Sequence, residues 1–135
     1  MATAYGKVGC EGHATTVVDD TNTAKTLKSG SLNVFATPAM CALMEEAACN
    51  ALRVERGVTS VGTSMSIQHI AASSIGRAVR ATATIIEVKK KSIQFNVVAK
   101  DSTGVLIGKG KHFRAIVDVE KFMKRASEKG DIGSL

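Results

Sequence analysis

The sequence predicts an α+β fold in which one long helix is covered by a curved antiparallel sheet. Three observations lead there. Thr37 to Gly57 carries one strong helical pattern. From Val61 to Val117 the periodicity changes to two, in four consecutive stretches separated by turn signals. Helix and strands are therefore segregated along the chain, which excludes a Rossmann-type alternation. Such a sheet needs one face covered. The long helix is the only large element available, so the sheet must curl around it.

The elements follow in order. "GHATTVVDDTNT" gives a short β-prone run around Thr15–Val18 and then a polar break. "TNTAKTLKSG" reads as a short helix capped by Thr21 or Thr23 and stopped by Gly30, and "SLNVFA" as a brief extended piece. The long helix, "TPAMCALMEEAACNALRVERG", takes Thr37 as N-cap and Pro38, the only proline, at its first position. Arg53 and Arg56 place positive charge near its C-terminus, and Gly57 ends it. Met40, Leu43, Met44, Ala47, Ala51 and Val54 are apolar around much of the circumference, which marks a core helix.

Val61–Ile70 begins the meander, and Gly76 punctuates a turn. Val79, Ala81, Ala83 and Ile85 share one face of the next strand, which runs to about Val88. Lys89–Lys91 make a hairpin turn. Ile93, Phe95, Val97 and Ala99 share a face of the third strand, and after "STG" the stretch "VLIGKGKHFRAIV" is the fourth. Gly108 and Gly110 inside it mark a bulge, a bend, or close approach of a ligand or backbone. "DVEKFMKRASEKG" is a capped C-terminal helix starting at Asp118, and "DIGSL" frays.

At 135 residues, 44% hydrophobic and 22% charged, the chain is expected to be one domain spanning 1–135. No apolar run approaches membrane-spanning length, and "MATAYGKVGCEGH" lacks a signal-peptide profile. A cytoplasmic protein without a membrane partner is the expectation. Cys10, Cys41 and Cys49 are an odd number with two in the helix, which fits reduced thiols. The formal charge is +6, yet there is no zinc spacing, basic helix or aromatic-rich strand for nucleic acid. Lys89–Lys91 read first as a solvated turn, with a phosphate-bearing small ligand as the second option and a duplex as the third.

The chemistry-bearing residues concentrate on the helix and the strand after it. Adjacent residues point about 100° apart on a helix. Glu46 therefore shares a wet stripe with Asn50 and Arg53, and Glu45 a small, apolar one with Cys41, Ala48, Cys49 and Leu52. Burial of Glu45 would raise its pKa, and a nearby histidine would oppose that. Thr37 is eight residues before Glu45, close to the same side. Met65, Ile67 and His69 share one side of their strand, and His69 is followed by the small residues Ala71, Ala72 and Ser73. A carboxylate on the helix, a histidine on a strand facing it and small residues beyond make a pocket. Cys41, Glu45, Cys49 and His69 do not read as a metal site. The helical three spread over about 12 Å, too far to converge on one ion. P-loop, GxGxxG, GxSxG and HExxH patterns are absent.

In order and spacing, "VFATPAMCALMEEAA", "VGTSMSIQHIAASSIG" and "GKGKHFRAIVDVEKF" resemble the fluoroacetyl-CoA thioesterase-like branch of the hotdog-fold acyl-CoA thioesterases, from the first strand to Phe122. The resemblance implies a helix wrapped by a curved antiparallel sheet, in a homodimer or dimer of dimers, with an acyl-CoA substrate and no cofactor. It also implies a catalytic set of Thr37, Glu45 and His69, with Gly62 near the acyl group. Ala71 and Ala72 leave room for an acyl-pantetheine thread. Arg114 matches the family's arginine, although "GKHF" stands where "GTHE" is usual. In the family, fluoroacetyl selectivity goes with a phenylalanine-rich lid before the Thr, whereas "AKTLKSGSLNVFAT" has one phenylalanine. The implied reaction is acyl-CoA hydrolysis, and the small residues Ala71, Ala72 and Ala48, taken as pocket walls, point to a short or branched acyl group. The alternatives are a non-catalytic acyl-CoA-binding hotdog protein and a hotdog dehydratase.

Overall fold

The periodicities become helix and sheet, with ends that tertiary contacts shift. The computed structural model describes residues 2, 3 and 5–128. Its elements are β1 (Ala2–Thr3), β2 (Gly6–Lys7), β3 (Glu11–Val17), α1 (Ala24–Leu27), α2 (Thr37–Ala51), β4 (Val58–His69), β5 (Ala78–Val88), β6 (Ser92–Asp101), β7 (Leu106–Asp118) and α3 (Val119–Glu128). The unforeseen β1 and β2 pair with each other, and the other five strands form an antiparallel sheet in the order β3-β5-β6-β7-β4.

α2 lies against the inner face of this sheet, chiefly on β3 and β5. It buries Met40, Leu43, Met44, Ala47, Ala48 and Ala51. Facing them are Ala14, Val79, Ala81, Ala83, Ile85, Phe95, Val97 and Ala99, all buried. This is the arrangement the resemblance implies. Alanines on both surfaces let the helix approach closely, and Gly12 permits the closest approach. A Cβ there would lie 2.1 Å from the Ala47 carbonyl oxygen and 2.3 Å from the Ala51 nitrogen. Both are helix backbone and cannot turn aside. Gly12→Ala is expected to cost about 1–3 kcal/mol or more, measured by chemical denaturation. An unchanged midpoint would mean that α2 is not seated on this strand.

Both ends of α2 differ from the expectation. Ala36, extended at φ −74° and ψ 141°, is the N-cap and makes no side-chain capping bond. Thr37 is already helical, so its hydroxyl is free for other work. The helix stops at Ala51, well before Gly57. The Arg53 N–H instead donates to the Tyr5 carbonyl at 2.8 Å, so the N-terminal segment draws the chain out of the helix. Val54 is consequently 48% exposed and outside it.

The strands keep their alternation, with one decisive interruption. In β4, Gly62 pairs with Arg114 and Ser64 with Phe113, which leaves Thr63 as an extra residue. Strict alternation would send Gly62 and His69, seven positions apart, to opposite faces. The bulge reverses the parity, so Gly62 turns to the same inner face as Met65, Ile67 and His69. Gly108 and Gly110 mark close approach: a Cβ would meet Met40 Sδ at 2.4 Å and the Ser66 carbonyl at 2.1 Å, respectively.

β4 ends the sheet and carries a free edge. The Lys121 N–H donates to Asp118 Oδ1 at 2.9 Å, capping α3 as expected. "DIGSL" lies outside the described residues. Among those described, no helix is long and apolar enough to cross a membrane.

Candidate active site

Two groups of candidate residues form, at different places on α2. The first is at its N-terminus. Thr37 Oγ1 and His69 Nδ1 lie 2.7 Å apart. The helix start supplies the hydroxyl and the end of β4 supplies the ring. His69 Nε2 is buried and makes no hydrogen bond among the described residues. Both side chains line a cavity of about 270 Å³ with Ala24, Ser29, Val34, Phe35, Ile70, Ala71 and Ala72. Burial pushes the His69 pKa below its ordinary 6.5, so the ring is neutral at pH 7. Ala71 and Ala72 thus do border open space, whereas Ser73 is buried and does not line the cavity. Ala48, offered by its size as a wall, is instead fully buried in the core.

The second group surrounds Glu45. Arg114, 6% exposed, extends from β7 and spends its donors on four acceptors. Nε donates to Ser60 Oγ at 2.8 Å and Nη2 to the Ser60 carbonyl at 3.1 Å. Nη1 donates to Glu45 Oε2 at 3.3 Å and to His112 Nε2 at 3.1 Å. Gly62 lies against this cluster: a Cβ there would stand 2.6 Å from Glu45 Oε2. Glu45 is partly buried, as its stripe on the helix implies. Its side chain is 46% exposed and ion-paired with arginine, not histidine.

Thr37 and Glu45 are eight helical residues apart, about 12 Å along the axis. Thr37 contacts His69 and not the carboxylate, and Glu45 does not line the cavity that holds His69. Lys109 and Lys111 sit on the outward face of the sheet beside a cavity of about 480 Å³, with the Lys111 ammonium on Asn96 Oδ1. Lys89–Lys91 form the β5–β6 turn. Neither lysine group reaches the inner-face residues.

Sequence reasoning passed over His112, which is 1% exposed. Its Nδ1 is 2.8 Å from the Ser64 carbonyl, and its ring stacks on Phe95 with centroids 5.9 Å apart. The available signal was the i, i+2 spacing of His112 and Arg114 in "KHFR", which puts both on one strand face. Burial lowers the His112 pKa as it does that of His69. Unfolded histidines protonate near about 6.5, so on acidification the unfolded chain takes up these protons first. Stability is full above that value and falls as pH drops through it toward the lowered folded values. The melting temperature is expected to be lower at pH 5 than at pH 7.5, and a flat profile would contradict the burial of both rings.

The comparisons with known proteins agree with this architecture. A family model described as FlK, fluoroacetyl-CoA-specific thioesterase, matches residues 18–120. The fluoroacetyl-CoA thioesterase of Streptantibioticus cattleyicolor is 36% identical over 102 residues, 74% of this chain and 73% of that protein. The solved structure of the fluoroacetyl-CoA thioesterase FlK superposes with a TM-score of 0.85 at 32% identity, over 91% of this chain and 96% of that one. A thioesterase superfamily member from Thermus thermophilus gives 0.82 at 27% identity, over 93% and 96%. With three quarters of its length matched by the family model and its α2-in-sheet architecture shared, the chain belongs to the FlK family of fluoroacetyl-CoA-specific thioesterases, thioester hydrolases of the hotdog fold.

Proposed function

We propose that this protein hydrolyses short or branched acyl-CoA thioesters in the cytoplasm, with Thr37, Glu45 and His69 as its catalytic residues. The observation that carries this is His69: Nδ1 is held by Thr37, and the buried Nε2 has no hydrogen-bond partner among the described residues. With the Thr37 hydroxyl donating to Nδ1, the neutral ring carries its proton on Nε2. That N–H donates to the thioester carbonyl or protonates the departing CoA thiolate. Glu45, aimed by Arg114, takes a proton from the attacking water or attacks the carbonyl itself. A backbone N–H beside Gly62 meets the oxyanion. Three free cysteines support the compartment. A FlK variant solved with fluoroacetate and CoA supports the ligand class.

The separation of the two groups is resolved by a second copy of the chain. The free β4 edge can pair antiparallel with itself about a two-fold axis, an isologous contact that removes an exposed edge. A register centred on Ser66 sets Gln68 against the partner's Ser64. Because Thr63 is extra, His69 then meets the partner's Gly62, with the partner's Glu45 beside it. The Thr37–His69 pair of one protomer thereby completes the Glu45–Arg114 cluster of the other. Light scattering should give a dimer or dimer of dimers at micromolar concentration. Ser66→Cys should form a covalent dimer that the parent does not. A monomer would remove this assembly.

The substrate panel tests the activity. Release of free thiol from acyl-CoAs separates hydrolysis from the binding-only and dehydratase readings. The segment before Thr37 supports limited fluorine discrimination: Leu27 and Leu32 are 43% and 65% exposed, and Phe35 is its one buried aromatic residue. One small substituent in an apolar pocket is worth about 1–3 kcal/mol at most. Fluoroacetyl- and acetyl-CoA are therefore expected to differ by no more than about 100-fold in kcat/KM. A preference of several orders of magnitude would refute the proposed selectivity, and absence of thiol release across the panel would refute hydrolysis.

A further inference from the structure

We propose that His112 is a positioning residue that aims Glu45 through Arg114. The inference rests on the reading of Glu45 as the acting carboxylate. Its basis is the pattern of donors and acceptors. The Ser64 carbonyl can only accept, so the His112 Nδ1 beside it at 2.8 Å carries the proton. Guanidinium nitrogens only donate, so Nε2, 3.1 Å from Arg114 Nη1, is the acceptor. His112 is thereby fixed as one neutral tautomer. Its plane is set by the Phe95 ring, at 28° to it.

The consequence falls on Arg114 Nη1. That nitrogen has two hydrogens: one goes to His112 Nε2 and the other to Glu45 Oε2. Ser60 holds the opposite side of the guanidinium through Nε and Nη2. With both sides tied, the plane cannot rotate, and the Nη1 hydrogen facing Glu45 has a fixed direction. Glu45 is half-exposed and has no other hydrogen-bond anchor among the described residues. Its aim therefore derives from Arg114, and that of Arg114 from His112 and Ser60.

Protonation would break the chain of contacts. An imidazolium has no acceptor, so two donors would face each other at Nε2 and Nη1. The charged groups facing His112 are Arg114 on β7 and Glu45 on α2. β4 presents Ser60, Gly62 and the Ser64 carbonyl, and β6 presents Phe95. Burial and the adjacent guanidinium both disfavour the charged ring, against the opposing pull of the Ser64 carbonyl and of Glu45.

The test uses the full chain. His112→Phe keeps a ring on Phe95 and removes both nitrogens. It is expected to lower kcat about 10- to 100-fold while KM stays within about twofold. His112→Gln presents an amide N–H to Ser64 and an amide oxygen to Arg114, and should recover most of the lost kcat. A ring that only fills space would give the reverse, with the phenylalanine variant active. Nitrogen-15 NMR of the histidine rings supplies a readout independent of turnover and of the phenylalanine variant's folding. His112 is expected neutral with its proton on Nδ1 at pH 7, and Glu45→Gln should shift its Nε2 resonance. A proton on Nε2, an imidazolium at pH 7, or an Nε2 signal indifferent to Glu45→Gln would overturn the proposal. Absence of thiol release by the wild type would defeat the thioesterase reading and leave the NMR outcome to judge the linkage.

Discussion

Glu45→Gln is expected to lower kcat for thioester hydrolysis by about 10²–10⁴-fold, with acyl-CoA binding and melting temperature near those of the wild type. Glutamine has the shape of glutamate and can still accept from Arg114 Nη1, the one ion-pair contact the carboxylate makes in the protomer. What disappears is the basic, negatively charged oxygen that draws a proton from water or attacks the carbonyl. Stability changes little, because the Glu45 side chain is 46% exposed and solvent screens its pairing with arginine. The neighbouring carboxylate is the internal control. Glu46 is exposed and lines a different cavity, with Thr15, Leu27, Phe35 and Leu43. Glu46→Gln should leave kcat/KM within about twofold of wild type. Loss of activity in the Glu46 variant, with Glu45 dispensable, would reverse the assignment of helix faces. Acyl-CoA binding measured by calorimetry separates a damaged site from an absent one.

The parts of this site that sequence exposes are those set by local periodicity. β5 and β6 bury Val79, Ala81, Ala83, Ile85, Ile93, Phe95, Val97 and Ala99, the residues alternation assigns inward. His69 at the end of β4 and the small residues after it are legible for the same reason. Thr37 is legible as a residue but not as a partner. Helix-capping preference assigns its hydroxyl to the backbone, whereas Ala36 takes the cap and the hydroxyl goes to His69. The Glu45–Arg114 pair depends on which face Gly62 and Arg114 turn to, and that depends on the bulge at Thr63. "VGTSM" carries no glycine or proline signal at Thr63 itself, so the change of parity appears only in the β4–β7 register. His112 stays hidden because a buried histidine in a strand is recognised by its partners, and those lie 48 residues away at Ser64 and on the Arg114 side chain.

That register gives the second large effect, at a residue with no side chain. Gly62→Ala is expected to reduce kcat about 100-fold while the melting temperature is unchanged or slightly higher. The added methyl would begin 2.6 Å from Glu45 Oε2, and 3.3 Å from both Arg114 Nη1 and His112 Cε1. Something must yield by roughly 1 Å to reach ordinary contact. Arg114 is buried and tied to Ser60, and His112 is 1% exposed and stacked on Phe95, so neither has room to give. The Glu45 carboxylate is the free end of a half-exposed chain and swings away. It thereby leaves Arg114 and the position from which it reaches water or substrate. A misplacement of this size in a reacting group can cost about 10² in rate. Stability moves the other way, since replacing glycine at a compatible backbone position restricts the unfolded chain, by about 0.4–1 kcal/mol. The mechanism also predicts non-additivity. Once Glu45→Gln has removed the carboxylate, adding Gly62→Ala displaces a group that no longer acts, so the double variant should be no slower than Glu45→Gln alone. Losses that multiply, or a Gly62→Ala enzyme with wild-type kcat, would place the acting carboxylate away from Gly62 and with it the composite site at the β4 edge.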